Sequence, residues 1–237
     1  MSNRSIHTLL KNWDEECPLT REEAVEVLNL PEEEMDSLME CAYALRTKYK
    51  GKKVSVQLLT NVRSGNCTQN CAYCAQSKDS QAEIEKYKRV SDEKLYGDND
   101  LVDEKHLARH CIGLSGIGFS DEEIEDLADR IREMKKKDTQ ICCSIGFLTE
   151  KQARILKDAG LDRINHNLNS SRSFYPEICT THTYDQRVNN IKMLQSLGFE
   201  ICSGGIVGMG ESKEDIVDML MDLREINPES VPINFLV

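Results

Sequence analysis

"QICCSIGFLTEKQARILKDAGLDRINHNL", residues 140 to 168, is one structural unit repeated along the chain. A short apolar run, "QICCSIG", passes into the amphipathic "TEKQARILKDAG", closed by Gly160, and an apolar run returns in "LDRINHNL". A glycine just past the last helical turn is a common helix stop. Strand, helix and strand at this pace make a βα unit of a parallel sheet.

The rhythm extends both ways. Upstream, "VSVQLLT" and "HCIGLSG" read as strands, and "SDEEIEDLADRIREMKKK" as a capped helix with acids first and lysines last. Downstream, "TYDQRVNNIKMLQSLG" is a helix ending at Gly198, "FEICSGGIVGMG" a strand running into a glycine-rich loop, "SKEDIVDMLMDLREINPES" a helix and "VPINFLV" a strand. In "SDEKLYGDNDLVDEKHLAR" the "GDND" interrupts the expected first barrel helix. Residues 1–52 differ: "TREEAVEVLNL" has a Thr N-cap and capping-box Glu, and "PEEEMDSLMECAYALRTKYK" begins with Pro and ends in Lys and Arg. The expectation is an N-terminal helical cap over 1–52 and a βα domain over 53–237.

Six strands fit either a doubly wound sheet or a βα barrel. Polar residues at strand ends (the cysteine loop, Ser115, Ser144, Asn165 to Asn169, Ser203) favour the barrel, whose active site lies there. A closed eight-unit barrel takes ~200 to 250 residues, more than follow the cap. The expected fold is therefore α/β, a TIM-type βα barrel that is incomplete at about six units, either a fragment or an open arc.

Bulk properties narrow the function. The 237 residues are 39% hydrophobic and 30% charged, the mix of a soluble globular chain, and the net charge of -11 disfavours nucleic acid as a partner. No run approaches the ~18 apolar residues of a membrane span, and "MSNRSIHTLLKNWDEECPLT" has no signal-peptide core. The expected location is cytoplasmic and reducing, so the ten cysteines point to metal or redox chemistry rather than disulfides.

Three of the ten fall in "SGNCTQNCAYCAQSKDS" at C-x3-C-x2-C spacing: Cys67, Cys71 and Cys74. A structural zinc knuckle would need a fourth protein ligand, and no Cys or His nearby supplies it. A four-iron cluster held by three thiolates leaves one iron open to a small molecule. The loop resembles that of the radical S-adenosylmethionine (SAM) enzymes, in which the methionyl amine and carboxylate bind the open iron of a [4Fe-4S] cluster. Tyr73 is similar to that family's aromatic residue beside the adenine.

The blocks "CAYCAQS", "NHNLNSS", "ICTTHTYDQR", "ICSGGIVGMGE" and "ESVPINFLV" resemble the biotin synthase family in order and spacing. The resemblance covers residues 54 to 237 and is strongest from 160 onward. It implies sulfur insertion into dethiobiotin by 5'-deoxyadenosyl radical chemistry, sulfur from an auxiliary cluster of [2Fe-2S] type, a flavodoxin or ferredoxin-type electron donor, and a homodimer. By the same resemblance Cys111, Cys142 and Cys202 match the auxiliary thiolates, with Cys179 as a conceivable extra ligand, while Cys143 should face the helices. Asn165 and Asn234 match dethiobiotin contacts. Asn167, Asn169 and Arg187 match SAM contacts, and Gly204 and Gly205 allow close backbone approach. Without the resemblance, these strand cysteines would read as buried apolar packing. Two departures stand out: Asn169 replaces a common Asp at the ribose, and the chain ends at Val237, before the strand that carries an arginine ligand of the auxiliary cluster in most members. Alternatives are another radical SAM enzyme on the same scaffold and an inactive truncated homologue.

Overall fold

The computed structural model describes residues 18–236. The helical reading of the first 17 residues, and Cys17 with it, lies outside the described residues. Helix α1 (Arg21–Leu28) starts at Thr20, whose hydroxyl and the Glu23 carboxylate form the expected capping box. Pro31 precedes a single 3-10 turn, Glu32–Glu34, and α2 (Met35–Lys50) begins only after it. Helix α1 packs on a late barrel helix, α8 (Lys213–Ile226), through Arg21 to Asp218 at 2.5 Å and Lys213 to Asn29 at 2.9 Å.

The remaining chain alternates as expected. The order is β1 (Gln57–Arg63), α3 (Asp92–Glu104), β2 (Arg109–Leu114), α4 (Asp121–Met134), β3 (Ile141–Ser144), α5 (Glu150–Asp158) and β4 (Arg163–Asn165). Then come α6 (Tyr175–Ile178), α7 (Tyr184–Ser196), β5 (Glu200–Cys202), β6 (Gly205–Val207), α8 and β7 (Ile233–Phe235). Strands β1 to β5 form a parallel sheet in sequential order, and β6 pairs in parallel with β7. The Cys202–Ser230 bridge has the same offset as the Gly205–Ile233 pair, so β5 and β6 are one strand interrupted at Ser203 and Gly204. The expected fifth strand is thus split, and β7 takes the sixth position of an open arc. Among the described residues β1 and β7 are not paired.

Alternation along the strands separates two faces. Val62, Ile112, Ile141, Cys143, Ile164 and Ile201 face outward, all buried under Ile124, Leu127 and Ile131 of α4, Leu156 of α5, Ile191 and Leu194 of α7 and Leu223 of α8. Burying each such side chain contributes roughly 1.5–3 kcal/mol, and this layer is the core. Cys143 falls in it, as expected. Helix α3 runs unbroken through "GDND" because Asp98 and Asn99 point inward. Asp98 accepts from Thr60 Oγ1 at 2.7 Å, and Asn99 Nδ2 donates to the Met134 carbonyl at 3.1 Å. Tertiary hydrogen bonds override a weak local propensity.

Candidate active site

The other strand face lines the hollow of the arc. Register places Leu59, Cys111, Cys142, Arg163 and Glu200 in one row, and Asn61, Gly113, Ser144, Asn165 and Cys202 in the next. Cys111 and Cys142 are therefore direct neighbours on adjacent strands, and Cys202 lies in the row toward the strand ends, with Asn165 Nδ2 donating to its Sγ at 3.4 Å. The thiol of Cys142 hydrogen-bonds Cys111 and holds it toward thiolate, with further support from the Arg109 and Arg163 guanidiniums; Cys142 itself is pushed up by that bond and by burial. Glu200 ties the two arginines together, at 3.1 Å from Arg109 and 2.7 Å from Arg163. Three thiols beside two cations suit an anionic metal-sulfur group, so the donor set fits an auxiliary cluster.

Above these rows, at the C-terminal ends of the strands, is a cavity of about 300 Å³, within the range of small-molecule sites. The loop after β1 contributes Cys67, Cys71, Tyr73 and Cys74 to its wall, and the segment after β4 contributes Asn165, His166, Asn167 and Asn169. Helix α7 adds Arg187, and Ser115 and Ser144 stand at the mouths of β2 and β3. All three loop cysteines thus face one space, with polar groups opposite, and the donor set fits a three-thiolate cluster with an open position.

Each wall residue is held. Asn167 Oδ1 accepts from the Gly204 N–H at 3.1 Å. Asn169 has φ 72°, a conformation asparagine tolerates better than most residues, and its Nδ2 donates to Tyr73 Oη at 2.6 Å. Arg187 donates from Nε to Tyr175 Oη at 2.5 Å and from Nη1 to the Asn167 carbonyl at 3.2 Å. Its Nη2 lies 2.9 Å from His182 Nε2. Burial pushes the Cys71 thiol up to about 12, so a thiolate there needs a bound cation.

Gly204 and Gly205 do not line the cavity. A Cβ at Gly204 would lie 1.8 Å from the Pro232 carbonyl oxygen, and one at Gly205 would lie 2.0 Å from Met219 Sδ. Close packing of strand on strand and of strand on helix accounts for both glycines. Asn234 is exposed on β7, opposite Ile206 and outside the cavity lining; strand alternation places it on the same face as Ser230, the partner of Cys202.

Two residues, His182 and His166, escaped the sequence reading, and a third, Cys179, falls elsewhere than expected. Cys179 stands beside Cys71, with 3.7 Å between sulfurs, and not with Cys111, Cys142 and Cys202. His182 joins Arg187, Tyr175 and Gln69 Oε1 in one network. His166 is buried on the cavity wall with neither ring nitrogen hydrogen-bonded, and burial holds it down at about 3. Period-two alternation would have turned His166 to the helices; β4 ends at Asn165, and the chain beyond curls over the cavity instead.

The radical SAM superfamily pattern matches residues 61–223. The chain belongs to the radical SAM superfamily. As a radical SAM protein it is 41% identical over 219 residues to biotin synthase of Geobacillus kaustophilus (strain HTA426), covering 92% of this chain and 66% of that one. It is 40% identical to biotin synthase of Bacillus subtilis (strain 168), covering 92% of this chain and 65% of that one. The chain thus spans about two thirds of the length of the curated relatives it matches. The fold of this chain is similar to that of methylornithine synthase, with a TM-score of 0.85 at 16% identity over 97% of this chain and 66% of that one. The FeFe-hydrogenase maturase HydG from Carboxydothermus hydrogenoformans superposes with a TM-score of 0.82 at 20% identity, over 98% of this chain and 56% of that one. No helix among the described residues is long and apolar enough to cross a membrane.

Proposed function

We propose that this chain carries the chemistry of biotin synthase, inserting sulfur into dethiobiotin. The observation that supports this best is the pairing of two thiol trios on one lumen: Cys67, Cys71 and Cys74 at the cavity, and Cys111, Cys142 and Cys202 below it. When bound, the first group supplies reductive cleavage of SAM to a 5'-deoxyadenosyl radical and the second, of [2Fe-2S] type, supplies the sulfur.

The chain's own residues bind, orient and shield. Arg187 offers a buried cation to the SAM carboxylate, fixed in orientation by Tyr175 and the Asn167 carbonyl. Tyr73 and Asn169, bonded to each other, form a wall for the adenosine. Asn165, between the two trios, presents an amide to the planar ureido ring of dethiobiotin, and Asn234 extends that surface along β7. Holding both reactants between the trios supplies the proximity on which a short-lived radical depends. A flavodoxin or ferredoxin-type protein would deliver electrons, a homodimer is the proposed assembly, and the cytoplasm is the proposed location. The division into a cap over 1–52 and a catalytic unit over 53–237 belongs to the same proposal.

The test is anaerobic reconstitution followed by iron and sulfide analysis, electron paramagnetic resonance with and without SAM, and a dethiobiotin assay. A cluster signal that shifts with SAM, together with biotin, is the expected result. SAM cleavage independent of dethiobiotin, without biotin, would assign the chain to other radical SAM chemistry.

A further inference from the structure

Cys71, Cys179 and His182 lie together, all buried, with their ligand atoms within 4.8 Å of one another. The trio has the spacing of a mononuclear metal site, but its hydrogen bonds argue otherwise. Arg187 donates from Nε to Tyr175 Oη, which leaves the Tyr175 hydroxyl proton for His182 Nε2 at 2.8 Å. Arg187 Nη2 also points its N–H at Nε2, from 2.9 Å. Nε2 is therefore the acceptor, and the proton sits on Nδ1, where Gln69 Oε1 receives it at 2.9 Å. A protonated Nδ1 facing Cys179 Sγ at 3.3 Å has no lone pair for a metal. What remains is two thiols 3.7 Å apart.

The backbones around those thiols are fastened together. The Ala72 N–H donates to the Ile178 carbonyl at 2.9 Å. The Asn70 side chain donates to Thr180 Oγ1 at 2.7 Å and accepts from the Thr180 N–H at 3.1 Å. Residues 70–72 and 178–180 thus run side by side, and across them the two sulfurs lie 3.7 Å apart, against about 2.05 Å in a disulfide. Cys71 faces the cavity and Cys179 lies behind it.

We propose that Cys71 and Cys179 form a reversible disulfide in the cluster-free chain, driven by a small-molecule disulfide such as oxidised glutathione. One thiol of the pair attacks the glutathione disulfide, giving a mixed disulfide and one glutathione thiol. The other, 3.7 Å away, then attacks that protein sulfur, forming the protein disulfide and releasing the second glutathione thiol. Two protein thiols are oxidised, one small disulfide is reduced, and the two thiol protons leave on glutathione. The bond removes the middle ligand of the loop, so it and cluster assembly exclude each other; this consequence rests on the proposed function, whereas the bond itself does not.

The test exposes reduced, cluster-free full-length chain to oxidised glutathione, blocks free thiols and maps peptides without reduction. Cys179 is the single cysteine between Arg172 and Arg187, so its tryptic peptide reports its partner unambiguously. The expected product links it to the 64–78 peptide, with fragmentation placing the bond at Cys71, and the link disappears in Cys179→Ser and in Cys71→Ser. A link to Cys67 or Cys74, or a Cys179 left fully alkylated while the far-ultraviolet circular dichroism stays native, overturns the proposal. Iron uptake after oxidation should be lost in the parent and retained in Cys179→Ser. Failure of reduced parent and variant alike to take up iron would count against the cluster reading and leave the disulfide standing.

Discussion

Arg187 and His166 show opposite ways of lining one cavity. Arg187 uses three nitrogens on Tyr175, Asn167 and His182, so its cation is fixed before any ligand arrives. Lysine offers one compact ammonium and cannot make that fork. Arg187→Lys should therefore weaken SAM binding about tenfold, ~1.4 kcal/mol, as read by equilibrium dialysis on the reconstituted chain. His166 has no such partners. Its folded pKa of about 3 lies below the ~6.5 of an unfolded histidine, so the unfolded state takes up the proton first as pH falls. Stability is full above pH ~6.5 and falls between there and pH ~3, by roughly 2 kcal/mol at pH 5. Urea unfolding of the cluster-free chain at the two ends of that window should show the loss, and His166→Phe should flatten it. The chemical types on this wall were legible in the sequence through "NHNLNSS" and "TYDQR". The placement of His166 was not, because it depends on where β4 stops.

Among the elements, two glycines test the same physics with opposite sign. Gly97 lies inside α3, where an added Cβ would meet nothing within 4 Å. Gly97→Ala should raise stability by about 1 kcal/mol through helix propensity. A Cβ at Gly204 would strike the Pro232 carbonyl, which is backbone and cannot turn aside. Gly204→Ala should cost about 3 kcal/mol and loosen the Ser203 to Ser230 and Gly205 to Pro232 hydrogen bonds that join β7 to the sheet. Thermal unfolding of the two variants beside the parent checks both signs. Helices with capping boxes, such as α4 at Ser120 and α8 at Ser212, were readable from local sequence because the signal is local. Two features were not. Helix α3 survives "GDND" only through partners on β1, β2 and α4, and the split of strand five arises from contacts to a segment some thirty residues later.

Among the described residues the molecule is an arc whose edge strands, β1 and β7, are not paired with each other, and both edges carry exposed apolar residues. Val54, Val56 and Leu59 are more than half exposed on and before β1, and Phe235 is 73% exposed on β7, next to the half-exposed Leu236. An edge strand offers unpaired backbone donors and acceptors to another chain. Here β7 adds a large aromatic side chain and no charge within "VPINFLV" to oppose pairing. The chain carries a net charge of -11, which resists non-specific association, so contact should concentrate at these edges. The chain as given should therefore self-associate with rising concentration in sedimentation velocity. Phe235→Lys should move that onset to roughly tenfold higher concentration, because it removes apolar area and adds a charge to the edge. The same substitution outside the edge strands, at the exposed Met39 of helix α2, should leave the onset unchanged. If both variants shift it equally, association is diffuse, and the open edges are not what drives it.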